Sequence, residues 1–367
     1  MHWNPEKDLV VFGPEIWNLQ DQGGISRYFS ELILRLNNVG VKVLCLHPKS
    51  SNIYLEKIPD SIKLQVEFSA NRICQWFNYL SLLRFVRPNS VYHPTYYARI
   101  PSIFFSKFAK LHNVVTVHDM IEEVTQSDSV SNQFMNGYKA KMILRTKSIL
   151  AVSNNTKNDL VKLLRIPPET ISVSYLGVNL TSEPDKIRNF DRKDPFFLYV
   201  GKRDGYKNFE LLLKAFSVFH EINDTYRIIA VGGEEVSVKE MKLISDLRLS
   251  GFVEFVPADD QQLVAYYTTA SALVYPSLYE GFGLPPLEAM TLGCPVIASK
   301  TSSIPEVCGD VPLYFNPFDV DSLVDAFNQL FSSRDLTDSR ILKGLLQAKK
   351  YSWDSTMSNT LTFYRSL

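Results

Sequence analysis

Along this chain, short apolar runs bounded by glycine, proline or charged turns alternate with stretches whose apolar residues recur every three to four positions. Leu9–Phe12 reads as a first buried strand, followed by the glycine-containing loop Asp21–Arg27 and a helix whose apolar face includes Tyr28, Leu32 and Leu36. Val41–Leu46, Val91–His93, Val114–His118 and Ser148–Val152 predict four more strands. The pattern then breaks at Glu183–Asp194, which is polar, charged and flanked by prolines, the composition of an interdomain linker. Beyond it the alternation restarts. Phe196–Val200, Arg227–Val231, Val253–Val256, Ala272–Tyr275, Val296–Ala298 and Leu313–Phe315 predict strands. Glu210–His220, Gln261–Thr269, Pro286–Leu292 and Val320–Leu330 predict the helices between and after them. Strands that alternate with helices argue for parallel sheets with crossover connections, here in an α/β chain of two doubly wound halves. The expected divisions are residues 1–182, residues 195–348, and a last segment 349–367 that crosses back to the first half with Trp353, Phe363 and Tyr364 at helical spacing.

A length of 367 residues agrees with two domains, and 45% apolar with 21% charged residues is an ordinary globular composition. No run approaches the ~18 apolar residues of a membrane-spanning helix. The polar opening Met1–Asp8 is unlike a signal peptide, so a cytoplasmic location is expected. Cys45, Cys74, Cys294 and Cys308 stand far apart and read as reduced, buried thiols, and the six scattered histidines form no metal-ligand spacing.

A formal net charge of zero conceals an asymmetry: residues 1–180 carry 20 Lys and Arg against 14 Asp and Glu, while residues 181–367 carry 19 against 25. The basic half is expected to face an anionic partner, a phosphate-bearing lipid or the inner face of a membrane rather than nucleic acid, since no dense basic run exists. Arg72–Arg87 and Ile103–Leu111 mix aromatic and basic residues, which fits either a helix lying on an anionic membrane or an ordinary core helix.

The sharpest chemical feature is the stretch Tyr279–Met290 after the strand Ala272–Tyr275. Gly281 and Gly283 allow the backbone to approach a ligand closely, and Pro285 or Pro286 suits a first helical turn. The amides of Phe282, Gly283 and Leu284 lie where a helix begins, a place that favours phosphate. Glu280 on the loop and Glu288 in the helix offer two carboxylates to one ligand, as acceptors for sugar hydroxyls. In a second motif, the strand ending at Gly201 is followed by Lys202, Arg203 and Lys207, cations suited to a diphosphate. Further candidates are Gly23 and Gly24 after the first strand with Asp21 and Arg27 beside them, and His118-Asp119 at the end of a strand. His93 closes a similar run and reads as structural. Thr301–Glu306 offers hydroxyls that either border a ligand or form turns.

On these motifs the chain resembles the retaining, GT-B fold glycosyltransferases of family 4 (group 1), and most closely those that assemble surface polysaccharides, mannosyltransferases among them. The resemblance implies two Rossmann-like domains facing a cleft, the first for the acceptor and the second for a nucleotide-sugar donor. It implies that Glu280 binds donor-sugar hydroxyls and Glu288 the ribose. Lys207 with Lys202 or Arg203 grips the diphosphate, Gly23 and Gly24 contact phosphate, and His118 reaches the donor sugar. Val256 would border the base, and Asp21, Arg27 and Asp119 the acceptor. No Asp-x-Asp stands at a donor site; Asp319-Val320-Asp321 reads as a helix cap. The expected chemistry therefore uses no cofactor and no essential metal, with GDP-mannose the expected donor and a glycan or lipid-linked acceptor. UDP-sugars and dTDP-rhamnose are alternative donors. A sugar-nucleotide 2-epimerase and an inactive sugar-nucleotide-binding subunit are alternatives of other classes.

Overall fold

The computed structural model describes residues 3–5, 8–66, 89–97, 112–125, 137–180, 194–203 and 205–367. The segments Arg72–Arg87 and Ile103–Leu111 and, except for Asp194, the linker Glu183–Asp194 lie outside the described residues. The chain divides into two compact units, one made of Met1–Gly177 and Trp353–Leu367, the other of Val178–Ser352.

The first unit runs β1 (Leu9–Phe12), α1 (Gly24–Asn38), β2 (Lys42–His47), α2 (Ile53–Glu56), β3 (Lys63–Gln65), β4 (Val91–His93), β5 (His112–Val117), α3 (Ile121–Thr125), α4 (Tyr138–Arg145), β6 (Ser148–Ala151), α5 (Asn154–Leu164) and β7 (Ile171–Val173). Its parallel sheet has the order β3-β2-β1-β4-β5-β6-β7. The strand expected at Val114–His118 begins earlier, because Val91 pairs with His112, and it ends at Val117, leaving His118 as the first residue beyond the sheet.

The second unit runs β8 (Phe196–Val200), α6 (Phe209–His220), β9 (Arg227–Val231), α7 (Val238–Asp246), β10 (Val253–Val256), α8 (Asp260–Thr269), β11 (Ala272–Tyr275), α9 (Leu284–Thr291), β12 (Val296–Ser299), α10 (Ile304–Cys308), β13 (Leu313–Phe315), α11 (Val320–Ser332) and α12 (Arg334–Ala348). Its parallel sheet is ordered β10-β9-β8-β11-β12-β13. The central strands β8, β11 and β12 are short apolar runs buried on both faces, as parallel strands between helices are, while the edge strand β10, which carries Glu254, is only half-buried. Phe197 shows the packing: its ring centroid lies 4.5 Å from Phe327 of α11 and 5.5 Å from Phe219 of α6. Asp319 accepts a hydrogen bond from the Asp321 amide at 3.0 Å and caps α11.

A final helix, α13 (Trp353–Arg365), packs into the first unit. The Trp353 ring lies 6.4 Å from that of Tyr28, and Thr356 donates to the Tyr175 carbonyl at 2.8 Å.

In both sheets chain order reverses at one place, between β1 and β4 in the first unit and between β8 and β11 in the second. In open parallel sheets the loops leaving such a pair of strands diverge to opposite faces, which opens a crevice at their carboxyl ends.

Candidate functional site

In the second unit the loops leaving β8 and β11 meet at that switch point. Gly201 follows β8 with φ +139°, and Gly205–Lys207 forms a single 3-10 turn. Asn208 follows in the left-handed region at φ 56°, and its side-chain amide donates to the carbonyls of Pro276 at 3.2 Å and Pro317 at 2.8 Å. The Leu278 amide donates to the Tyr206 carbonyl at 2.7 Å. These bonds fix the two loops against each other and place Lys207 Nζ 2.7 Å from Glu280 Oε1. The ammonium lies 3.5 Å from the Tyr275 hydroxyl and 5.4 Å from the centroid of its ring. Burial, and then the charge of Glu280, push the Tyr275 phenol well above its ordinary pKa, so it stays protonated beside the ion pair.

Glu280 and Glu288 are both buried, at 7% and 5% exposure. Such carboxylates need charged or hydrogen-bonding partners to offset the loss of water. Glu288 has the Tyr267 hydroxyl, which donates to Oε2 at 3.1 Å. The loop carrying Glu280 is held by the serines after β12: its amide donates to Ser302 Oγ at 2.8 Å, and Ser303 Oγ donates toward the carbonyls of Glu280 and Phe282 at 2.9 and 3.0 Å. Thr301–Glu306 thus acts through hydroxyl-to-backbone bonds on the loop of the first acid. Gly283 takes φ +103°, a conformation that L side chains rarely adopt. That turn starts α9 at Leu284, two residues before the expected Pro286, with both prolines inside the first helical turn, where no helix bond is lost.

Arg203 is placed differently from Lys207. Its Nε donates to Glu240 Oε1 at 2.8 Å, Nη1 to the Gly232 carbonyl at 2.6 Å, and Nη2 to the Glu234 carbonyl. Its guanidinium stacks 4.7 Å from the centroid of Phe255, the residue before Val256 at the end of β10. In this arrangement the structure does not bring Arg203 to the Lys207–Glu280 pair; three of its five N–H groups are engaged by Glu240, Gly232 and Glu234, which leaves two for phosphate oxygens. Lys202 is exposed, and its carbonyl accepts from the Tyr199 hydroxyl.

In the first unit, Gly23 precedes α1, Gly24 opens it, and Arg27 is buried in its first turn at 7% exposure. Asp21 accepts from Ser51 Oγ. Tyr28 of α1 meets the His118 ring edge-on at 5.1 Å, so the glycine loop and His118 share one end of the sheet. His118 Nε2 is buried without a hydrogen-bond partner. Burial chiefly, with Lys139 adding to it, lowers the His118 pKa to about 4 and keeps the imidazole neutral. Asp119 accepts from the Ile121 amide at 3.2 Å and faces Lys139 Nζ at 3.5 Å. His93 is fully buried, bonded through Nδ1 to the Tyr364 hydroxyl at 2.6 Å and through Nε2 to Thr116 Oγ1 at 2.8 Å. It therefore holds α13 to the sheet.

Sequence reasoning passed over three residues. Glu15, buried at 2% exposure at the switch point of the first sheet, accepts from the Thr95 amide at 2.9 Å and the Tyr92 hydroxyl at 3.2 Å. Burial raises its pKa despite these bonds. Tyr267, which holds Glu288, reads as an ordinary core aromatic, and Glu240, which holds Arg203, is marked only as the fourth residue of a Ser-x-x-Glu helix start. Among the described residues no helix is long and apolar enough to cross a membrane, and no three His, Cys, Asp or Glu side chains are grouped to hold a metal ion.

Two Rossmann-like parallel-sheet units, with paired acids and a lysine at the second switch point, define the GT-B class of glycosyltransferase architecture. The family model of glycosyl transferases group 1 matches residues 182–344, and that of glycosyltransferase family 4 matches residues 22–182. The chain belongs to this family. It is 31% identical over 233 residues to O-antigen chain mannosyltransferase B of Escherichia coli and 34% identical over 222 residues to O-antigen chain mannosyltransferase RfbU of Salmonella typhimurium. Each match covers 60% of this chain and 61% of the relative, so the chain spans about three fifths of the length of these curated relatives. The fold is similar to that of Anabaena HepE in complex with UDP and glucose, with TM-score 0.78 at 15% identity, over 98% of this chain and all of that one.

Proposed function

We propose that the protein is a retaining hexosyltransferase that moves mannose from GDP-mannose to a lipid-linked or oligosaccharide acceptor during surface polysaccharide synthesis. The observation that carries this reading is the Lys207–Glu280 pair, set just before the start of the helix that carries Glu288. The mannosyltransferase relatives favour mannose as the sugar. The UDP and glucose bound to HepE are in keeping with a nucleoside diphosphate in the second unit.

Cleaving the bond between sugar and diphosphate develops positive charge on the sugar and negative charge on the leaving group. Lys207 and the positive end of the α9 dipole stabilise the departing diphosphate, Glu280 orients the sugar hydroxyls, and Glu288 holds the ribose. His118, neutral at physiological pH, offers Nε2 to the donor sugar. No extra carboxylate is assigned as a covalent nucleophile, so retention follows a front-face route in which the leaving phosphate helps to deprotonate the acceptor. The reaction proceeds without an essential metal, in the cytoplasm and against the inner face of a membrane.

A thermal-shift panel with GDP, UDP and dTDP, each with and without EDTA, tests the reading. A ligand at 100 times its Kd adds about 2.7 kcal/mol of stability. Stabilisation by GDP that EDTA leaves unchanged is expected. Stabilisation by UDP alone replaces mannose as the sugar, and no shift with any nucleotide overturns the donor site.

A further inference from the structure

Glu288 sits in the second turn of α9 at 5% exposure, where an ionised side chain is costly without a donor beside it. That donor comes from another helix. Tyr267 lies on α8 and is itself fully buried, with its hydroxyl 3.1 Å from Glu288 Oε2. The start of α8 is fixed by a capping box in which Asp259 accepts from the amides of Gln261 and Gln262, and Gln262 Oε1 accepts from the Asp259 amide. The phenol therefore reaches the carboxylate from a helix that is held at its own origin. A core position asks only for an aromatic ring, and phenylalanine would fill it. A hydroxyl directed at a buried acid does something more, because it fixes which way the carboxylate faces.

Resting on the donor-site reading above, we propose that Tyr267 is a positioning residue, whose hydroxyl holds Glu288 in the orientation that accepts hydrogen bonds from the ribose of the nucleotide. The substrate class this selects is a ribonucleoside diphosphate sugar. Discrimination against a nucleotide lacking ribose hydroxyls then depends on a residue that does not touch the ligand. The energetic reason is that a site built to pair with hydroxyls loses affinity when either the hydroxyls or the orientation of their acceptor is lost.

The experiment is calorimetric titration of the intact chain with GDP and 2′,3′-dideoxy-GDP, and with the corresponding uridine pair. Wild type, Tyr267→Phe, Glu288→Gln and the double variant are compared. Wild type should favour the ribose form, and Y267F should weaken ribonucleotide binding by about tenfold, the worth of one hydrogen bond to a charged group, while changing dideoxynucleotide binding by less than about twofold. The double variant should bind no worse than E288Q. Equal weakening of both forms, no change in either, or a Y267F chain that does not fold each assigns Tyr267 to the core and overturns the inference. Equal binding of both forms by wild type overturns it too, while the donor-site reading stands. Absence of any nucleotide binding by wild type removes the donor-site reading and this inference together.

Discussion

Lys207 and Glu280 lie 73 positions apart in sequence, and their charged atoms meet at 2.7 Å where the loops from β8 and β11 converge. Their side chains are 14% and 9% exposed, so the pair is neither a screened surface contact nor fully withdrawn from water. The cation assigned to the diphosphate and the acid assigned to the sugar are thus one electrostatic unit.

Lys207→Ala removes one charge of this unit and leaves the other buried. Loss of about 1–3 kcal/mol of stability is expected, together with loss of donor binding. Lys207→Met, which keeps apolar contact with Tyr206 and Tyr275, should recover part of the stability and none of the binding. Urea midpoints and nucleotide titrations separate the two effects.

Gly233→Ala tests the mooring of Arg203. A Cβ at Gly233 would lie 2.6 Å from Arg203 Nη1, and the residue has φ +84°. Steric conflict and backbone strain together should cost about 1–3 kcal/mol and release the guanidinium from the Gly232 carbonyl. If Arg203 exchanges onto the diphosphate when donor binds, the alanine variant loses folded stability but binds nucleoside diphosphate at least as well as wild type. Thermal melts with and without nucleotide read both.

Tyr364→Phe removes the partner of His93 Nδ1 from a fully buried site. A cost of about 1–3 kcal/mol is expected, confined to the first unit. Hydrogen exchange should show faster opening of β4 and α13, with α6 and β8 unchanged.

Acid should weaken the first unit through its two histidines. Burial depresses His93 to about 3 and His118 to about 4, from an ordinary value of 6.5. The unfolded chain therefore takes up these protons first. Their contribution to stability is whole above pH 6.5, shrinks as pH falls, and levels off near pH 3, with a slope of up to about 1.4 kcal/mol per pH unit for each histidine. His93→Gln should flatten that slope between pH 6.5 and 3, and urea midpoints across the range measure it. An unchanged slope would assign the acid sensitivity to other groups.

The strands of the second unit were legible because Phe196–Val200, Ala272–Tyr275 and their fellows are short apolar runs ended by glycine, proline or charge. β3 and β7 were not, since three-residue edge strands carry too little pattern and Lys63 and Gln65 are polar. α12 escaped because Leu336, Leu342 and Leu346 are exposed, at 61–64%, and blur its periodicity. α7 was not predicted either, although Ser237 and Glu240 stand at the spacing of a capping box and the structure forms one there. Glu280, Glu288 and Lys207 stood out by their spacing around glycines. Partnership did not: Tyr267 looks like core, and Arg203 looks like a free cation until Gly232 and Glu234 are seen to turn their carbonyls to it.

That Trp353–Leu367 belongs to the first unit bears on how the protein is made. Val178–Ser352 is continuous in sequence, whereas in the first unit Tyr28 and His93 meet Trp353 and Tyr364, partners that lie beyond the whole of the second unit. The first domain therefore cannot be completed until the whole of the second has been synthesised, which departs from domain maturation in chain order.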